Sequence, residues 1–564
     1  MSRVWRLPIL VLLPVLVLVA VAVEGRSDGD TAPAVRLSEL TPTAAPSGTL
    51  SSTWYCAAGS ATGATTGEGA GPAEQTVIVS NASDTASTGV ITLYPEGAAA
   101  KAVPIEIGAH ASTSVKVSDQ VKAAWAAAMV EVTGGEVSVA HELVGATGQS
   151  VSDCASAPGA DWYFPGGTTR VGTAQWLALF NPFPGEATVD LAFDTPDGAR
   201  TPQEYQGIVV PGGSVVVKKV SDVVTLRDEV STTVSARSGR VVAEQVQALE
   251  GREGGPKGLT ATLGATAPSP VWSFPMSAPG GVDAGESVAV FNPGDTDTDV
   301  LVQVQLDAPE VNGTVEPFEV SVPAHRFAVV DVSADERVPP GVAHWLVVST
   351  PGGSEIVAQR TLTGGAGGGY STTIGMPVVA TRWLSPVANI AGATSPQLSV
   401  ANPSPTETAT FTVRRSGAGS SGDVDGAVDL TVAPGQRVVI ALDGAGFEPG
   451  STAEVVSDRP VVVGLWLTLA SPADVATPLG VPVGGSQSLP VEVVGPTVAA
   501  SGQLDTGDSI PGSLTDGGTG AGATDGSSTT TSADAASTTT AAGAASTTTT
   551  AAAVSSTTTT SAAG

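Results

Sequence analysis

Few side chains in this sequence could do chemistry, and their spacing decides whether they can act together. There are four histidines, His110, His141, His325 and His344. Imidazole is the usual acid–base group near neutral pH and a frequent metal ligand, but no two of these sit at the three- or four-residue spacing of a zinc pair. His110 and His325 fall at corresponding hairpin tips in related segments, where Gly213 and Gln436 stand in the other segments, so they read as turn residues. His141 and His344 fall in strand-forming stretches. Asp295, Asp297 and Asp299 alternate like the start of a calcium loop, yet the glycine and the later bidentate glutamate are missing. Asp423, Asp425 and Gly426 lack the same partners, and both groups read as solvated acidic turns. No phosphate-cradling glycine loop with its lysine and no nucleophile elbow occurs. The sequence therefore predicts no catalytic residue, no metal ligand and no cofactor or cofactor-binding residue.

Cys56 and Cys154 are the only cysteines. Two cysteines permit one intramolecular pair, and a disulfide between them is the expectation. Closing a loop of about 100 residues contributes up to about 4.7 kcal/mol on a chain-entropy account.

The elements that would position these groups are set by an internal repeat. Trp162-Tyr163-Phe164-Pro165 recurs as Trp272-Ser273-Phe274-Pro275, as Trp383-Leu384-Ser385-Pro386 and, reduced, as Trp54-Tyr55; the tryptophans are 108, 110 and 111 residues apart. Each is followed by an apolar run into an asparagine: Asn81, Asn181, Asn292 and Asn402. Next comes an alternating strand such as Val189-Asp190-Leu191-Ala192-Phe193, then a hairpin such as Val210-Pro211-Gly212-Gly213, where proline fixes φ and glycine admits the turn. Period-two alternation places one face in a core and one in water. Two more strands close each copy, giving about six or seven in roughly 110 residues, the pattern of an immunoglobulin-like sandwich. A propeller is the rival architecture, with two blades per copy. A tryptophan repeated once per copy at fixed phase reads as core rather than as a sugar platform, and each asparagine reads as a turn cap. Trp125 and Trp466 stand outside the repeat pattern and are the aromatics to inspect for a binding role.

Composition agrees with an all-β body. Hydrophobic residues make up 41% and charged residues 14%, and 68 glycines and 41 prolines punctuate short Val-rich runs. The net charge of −30 argues against nucleic acid, whose phosphates need a lysine and arginine field. Arg3 and Arg6 precede an apolar run from Leu7 to Val23, which reads as an export signal, cleaved after Ala22 or kept as an anchor. From about Ser501 the chain turns to Thr, Ala, Ser and Gly, which cannot bury a core, so a disordered tail is expected.

Trp162-Tyr163-Phe164-Pro165-Gly166-Gly167-Thr168-Thr169-Arg170, followed by Trp176-Leu177-Ala178-Leu179-Phe180-Asn181-Pro182 and Val241-Val242-Ala243-Glu244-Gln245, resembles an uncharacterised repeat family of about 110 residues in secreted and surface proteins of actinobacteria. The resemblance implies an extracytoplasmic β-sandwich repeat with no established activity, and carries over no functional residue.

The expected fold is thus all-β, four tandem immunoglobulin-like β-sandwich repeats with a disordered C-terminal tail. The expected divisions are a signal peptide or anchor (1–25), a linker (26–50), repeats at 51–155, 156–265, 266–376 and 377–485, and the tail (486–564). The expected function is a non-catalytic structural or adhesive cell-envelope protein presenting the repeats as a rod, secreted or held at the outer face of the cytoplasmic membrane. Its partner would be an envelope polysaccharide or protein, with membrane contact only through an uncleaved N-terminal segment. Two alternatives are a dedicated binding module, and an accessory subunit of an envelope enzyme or cryptic hydrolase.

Overall fold

The computed structural model describes residues 40–489 apart from 280–283, 365–367, 387–389, 391 and 471. These belong to one compact unit, Met1–Ala499. The N-terminal stretch expected to be an export signal and the tail beyond residue 489 lie outside the described residues. Among the described residues no helix is long and apolar enough to cross a membrane.

The fold is all-β, four tandem immunoglobulin-like β-sandwich repeats. In the first copy the strands are β1 (Ser51–Cys56), β2 (Glu74–Asn81), β3 (Ser87–Pro95), β4 (Lys101–Ile107), β5 (Ala111–Lys116), β6 (Ala126–Thr133), β7 (Val137–Val144) and β8 (Gln149–Asp153). They form two antiparallel sheets, β1-β6-β3-β4 and β5-β2-β7-β8. The second and third copies repeat both sheet orders. In the fourth, one 19-residue strand, Thr452–Ala470, runs through both sheets and takes the places of β6 and β7. Eight strands in the first and third copies, and nine in the second, exceed the six or seven expected. The strand most easily overlooked is β8, whose Gln-Ser-Val-Ser-Asp sequence has no apolar alternation.

The two sheets differ in burial for a physical reason. β3 is partly exposed at alternating positions, as a sheet with one wet face should be, whereas β2 and β7 are buried along nearly their whole length. The second sheet is covered on one side by its own partner and on the other by the neighbouring copy. Ile78, Ala140 and Val151 of the first copy share a buried cluster with Leu467, Leu469 and Ala476 of the fourth.

The asparagine caps fold as expected. Asn181 donates through Nδ2 to the carbonyls of Gly185 (2.7 Å) and Val210 (3.0 Å), and its Oδ1 accepts the Phe183 N–H. Asn81, Asn292 and Asn402 make the same three bonds in their own copies. The repeated tryptophans are core: Trp54, Trp162, Trp272 and Trp383 are each at most 1% exposed.

The expectation of a rod is corrected by the contacts between the last and first copies. Ser80 of the first donates to the Pro386 carbonyl of the fourth, His110 bonds Ser416, and Arg382 bridges Glu136 and Glu454. Ala44, in the stretch expected as a linker, is fully buried and forms a parallel bridge opposite Val483, donating to the Pro482 carbonyl and accepting the Gly484 N–H. The copies close into a ring, sharing with a propeller an axis lined by one strand from each repeat. Tandem repetition cannot distinguish ring from rod, because that choice rests on the angle between neighbours.

Candidate functional site at the common axis

The strands nearest the axis are β8 and its counterparts Lys257–Leu263, Tyr370–Ile374 and Ala473–Ala476, each the edge strand of its sheet. An edge strand presents unpaired backbone groups. At one level of the axis these groups converge on a single side chain. The Asp474 carboxylate accepts the N–H groups of Gln149 (3.1 Å) and Leu259 (2.7 Å) on Oδ2, and of Tyr370 (2.8 Å) and its neighbour Val475 (2.9 Å) on Oδ1. Each of the four copies contributes one donor. Asp474 is 2% exposed.

Backbone N–H groups aimed at one point form an anion nest, and here the chain supplies the anion itself. The positions corresponding to Asp474 in the other copies are Gly148, Gly258 and Gly369. A Cβ at Gly148 would collide with Asp474 Oδ2, and one at Gly258 or Gly369 would lie 3.0 or 3.1 Å from Oδ1. Three glycines and one aspartate are therefore one steric unit. Burial pushes the Asp474 carboxyl up to about 7, although its four N–H bonds pull the other way.

Below this level, hydroxyls tie the strands together. Ser150 accepts the Ala261 N–H, Thr260 meets Thr372 at 3.0 Å, and Ser371 meets Thr477 at 3.0 Å, linking successive copies. They border a cavity of about 90 Å³ that Leu40–Pro42 also line. Asp153 also lines it; one carboxylate oxygen has no partner, and burial pushes its carboxyl up to about 7.

Cys56 and Cys154 are bonded to each other. His110 and His325, the two hairpin histidines, bond Asp84 and Asp295. His141 and His344 are buried against Glu244 of the second copy and Glu286 of the third, both at 2.6 Å. For Glu286, burial pushes the carboxyl up, but His344 beside it holds it below its ordinary value; burial lowers His344, and Glu286 raises it overall. Asp297 accepts the Ala324 N–H across its turn. Among the described residues no three His, Cys, Asp or Glu are grouped to hold a metal ion. Trp125 and Trp466, the aromatics singled out for a binding role, are 7% and 4% exposed, too enclosed to serve as open platforms. Trp125 instead packs on Trp176 of the second copy.

Sequence reasoning missed Asp474, one of 54 acidic residues. The signal was an aspartate at the repeat phase held elsewhere by Gly148, Gly258 and Gly369.

Residues 145–374 match a family of unknown function, DUF5719. The match opens just before one axial strand and ends with another. No curated protein matches the chain. A crystal structure of a tetra-tandem repeat in the extending region of a large adhesion protein aligns at 12% identity, covering 74% of this chain and 100% of that one, with a TM-score of 0.09. That score carries no argument about fold or role.

Proposed function

We propose that this chain is a non-catalytic structural or adhesive protein of the cell envelope, whose ring of sandwiches holds inter-copy hairpins and loops in fixed positions for an envelope polysaccharide or protein. The carrying observation is the use made of polar groups where copies meet. Four N–H groups converge on Asp474, and the junction carboxylates Glu244, Asp194 and Asp307 are paired with His141, Arg326 and Arg437. Such pairing favours a scaffold over the alternative of a glycan hydrolase, which needs two carboxyl groups free to face a substrate. The bonded cysteines are compatible with an extracytoplasmic location. The acidic balance disfavours nucleic acid as a partner.

The test is affinity capture from envelope extract with the full exported chain as bait. Reproducible enrichment of one glycan or protein, recovered chemically unchanged, is the expected result. Release of cleaved fragments from a captured polymer would overturn the non-catalytic assignment.

A further inference from the structure

The first two junctions between copies share one geometry. The residue after the repeated tryptophan packs on the residue before the asparagine of the next copy: Tyr55 faces Phe180 across the first junction (6.4 Å between ring centroids), and Tyr163 faces Phe291 across the second (6.1 Å). Strand register defines a third equivalent position. Trp54 and Ile91 both pair with Val130, as Trp162 and Leu191 both pair with Val234. Three residues beyond Ile91 and Leu191 stand Tyr94 and Asp194.

At the first junction the Tyr94 ring lies 5.0 Å from the Phe180 ring and fills the space beside the next copy's hairpin, where Gly213 makes room for it. At the second junction Asp194 is much smaller, and an open pocket of about 290 Å³ remains. That is close to the lower end, roughly 300 Å³, of small-ligand pockets. Its walls include Tyr163 and Phe291, and Thr233 and His325 also border it. Asp194 is 5% exposed; one carboxylate oxygen binds Arg326 and the Phe327 N–H, and the other has no hydrogen-bond partner.

We propose that this pocket between the second and third copies binds one neutral sugar ring of a glycan, in the place that Tyr94 fills at the preceding junction. A ring-shaped occupant is indicated by that internal ring. A polyhydroxylated ring is indicated by the mixture of aromatic walls with the Thr233 hydroxyl and the His325 imidazole, which an apolar ring would leave unpaired. Neutrality is indicated by the local pairing of Asp194 with Arg326 and of His325 with Asp295, on a chain whose net charge of −30 repels anionic polymers. The site adds a ligand to the scaffold reading without depending on it.

The test is saturation-transfer NMR on the full chain with glucose, galactose, mannose and N-acetylglucosamine as separate probes, and with phenol as an apolar ring. Transfer to at least one sugar, exceeding that to phenol, is expected. Ala199→Trp, which fills the pocket from an exposed lining position, should weaken it about tenfold or more, and Leu226→Trp, at an exposed site outside the pocket, should leave it unchanged. If Ala199→Trp lowers the melting temperature, Thr233→Val decides by removing the hydroxyl at nearly constant volume. No transfer to any of the sugars, equal binding by the pocket variants, or preference for phenol would each overturn the proposal. Failure here with successful glycan capture from envelope extract would leave the scaffold reading standing and place its contact elsewhere.

Discussion

The middle of the ring and the junction that closes it solve the same packing problem with different chemistry. In the second and third copies Phe164 and Phe274 lie on Gly264 and Gly375, so close that a Cβ on either glycine would stand 2.6 or 2.9 Å from the ring. In the first copy the corresponding pair is Cys56 and Cys154, and an aromatic–glycine contact becomes a covalent bond. In the fourth, Ser385 replaces the aromatic and Trp383 covers Gly480 instead. Asp474 and the Arg382 bridge to Glu136 belong to the fourth copy as well. Successive copies are joined by the chain and meet at little entropic cost. The first and fourth must find each other across some 300 residues, where loop closure costs more. The Arg382–Glu136 bridge and the Ser80 bond to the Pro386 carbonyl lie where that cost falls.

The largest effect should come from breaking the axis. Asp474→Ala removes the acceptor of four N–H groups drawn from all four copies, and leaving buried donors unpaired costs about 1–3 kcal/mol each. A loss of at least about 3 kcal/mol is expected by chemical denaturation. Formate, a free carboxylate, should restore part of it in Asp474→Gly, the residue the other copies carry. No response to formate would show that the carboxylate is not what joins the copies.

A smaller effect should sharpen the contrast at the covalent pair. Replacing both cysteines by serine is expected to cost about 2–5 kcal/mol, whereas Cys56→Phe with Cys154→Gly, the solution of the middle copies, should recover about 1.5–3 kcal/mol through the buried ring. Differential scanning calorimetry of the two double variants makes the comparison. Equal melting temperatures would mean that the first copy needs the bond itself. Mass spectrometry of the non-reduced protein should find neither thiol free.

The smallest effect is a slope in pH. The Asp153 carboxyl is pushed up to about 7 by burial, above its value in an unfolded chain. Protonation therefore favours the folded state: the contribution is complete below about pH 4 and is lost as pH rises through about 7. Asp153→Asn should flatten the slope across that window by on the order of 1 kcal/mol per pH unit. An unchanged slope would assign the titration to another group.

Much of this was legible in the residues. Alternation gave the outer-sheet strands, the tryptophan period gave four copies, and the asparagines marked turns that they do cap, because all three depend on residues within a few positions of one another. The axial strands were less legible. Ser150, Thr260 and Thr372 look like loop residues until their hydroxyls are seen to bridge strands about 110 positions apart.

What the sequence alone determined is the sandwich, its fourfold repetition and the one pair of cysteines available to bond. Whether the copies would line up as a rod or close into a ring, and that a single aspartate would join all four, only the tertiary structure decided. Local propensity carries no information about the angle between successive copies, and Asp474 differs from a surface carboxylate only through N–H groups supplied by strands beginning near residues 149, 259 and 370.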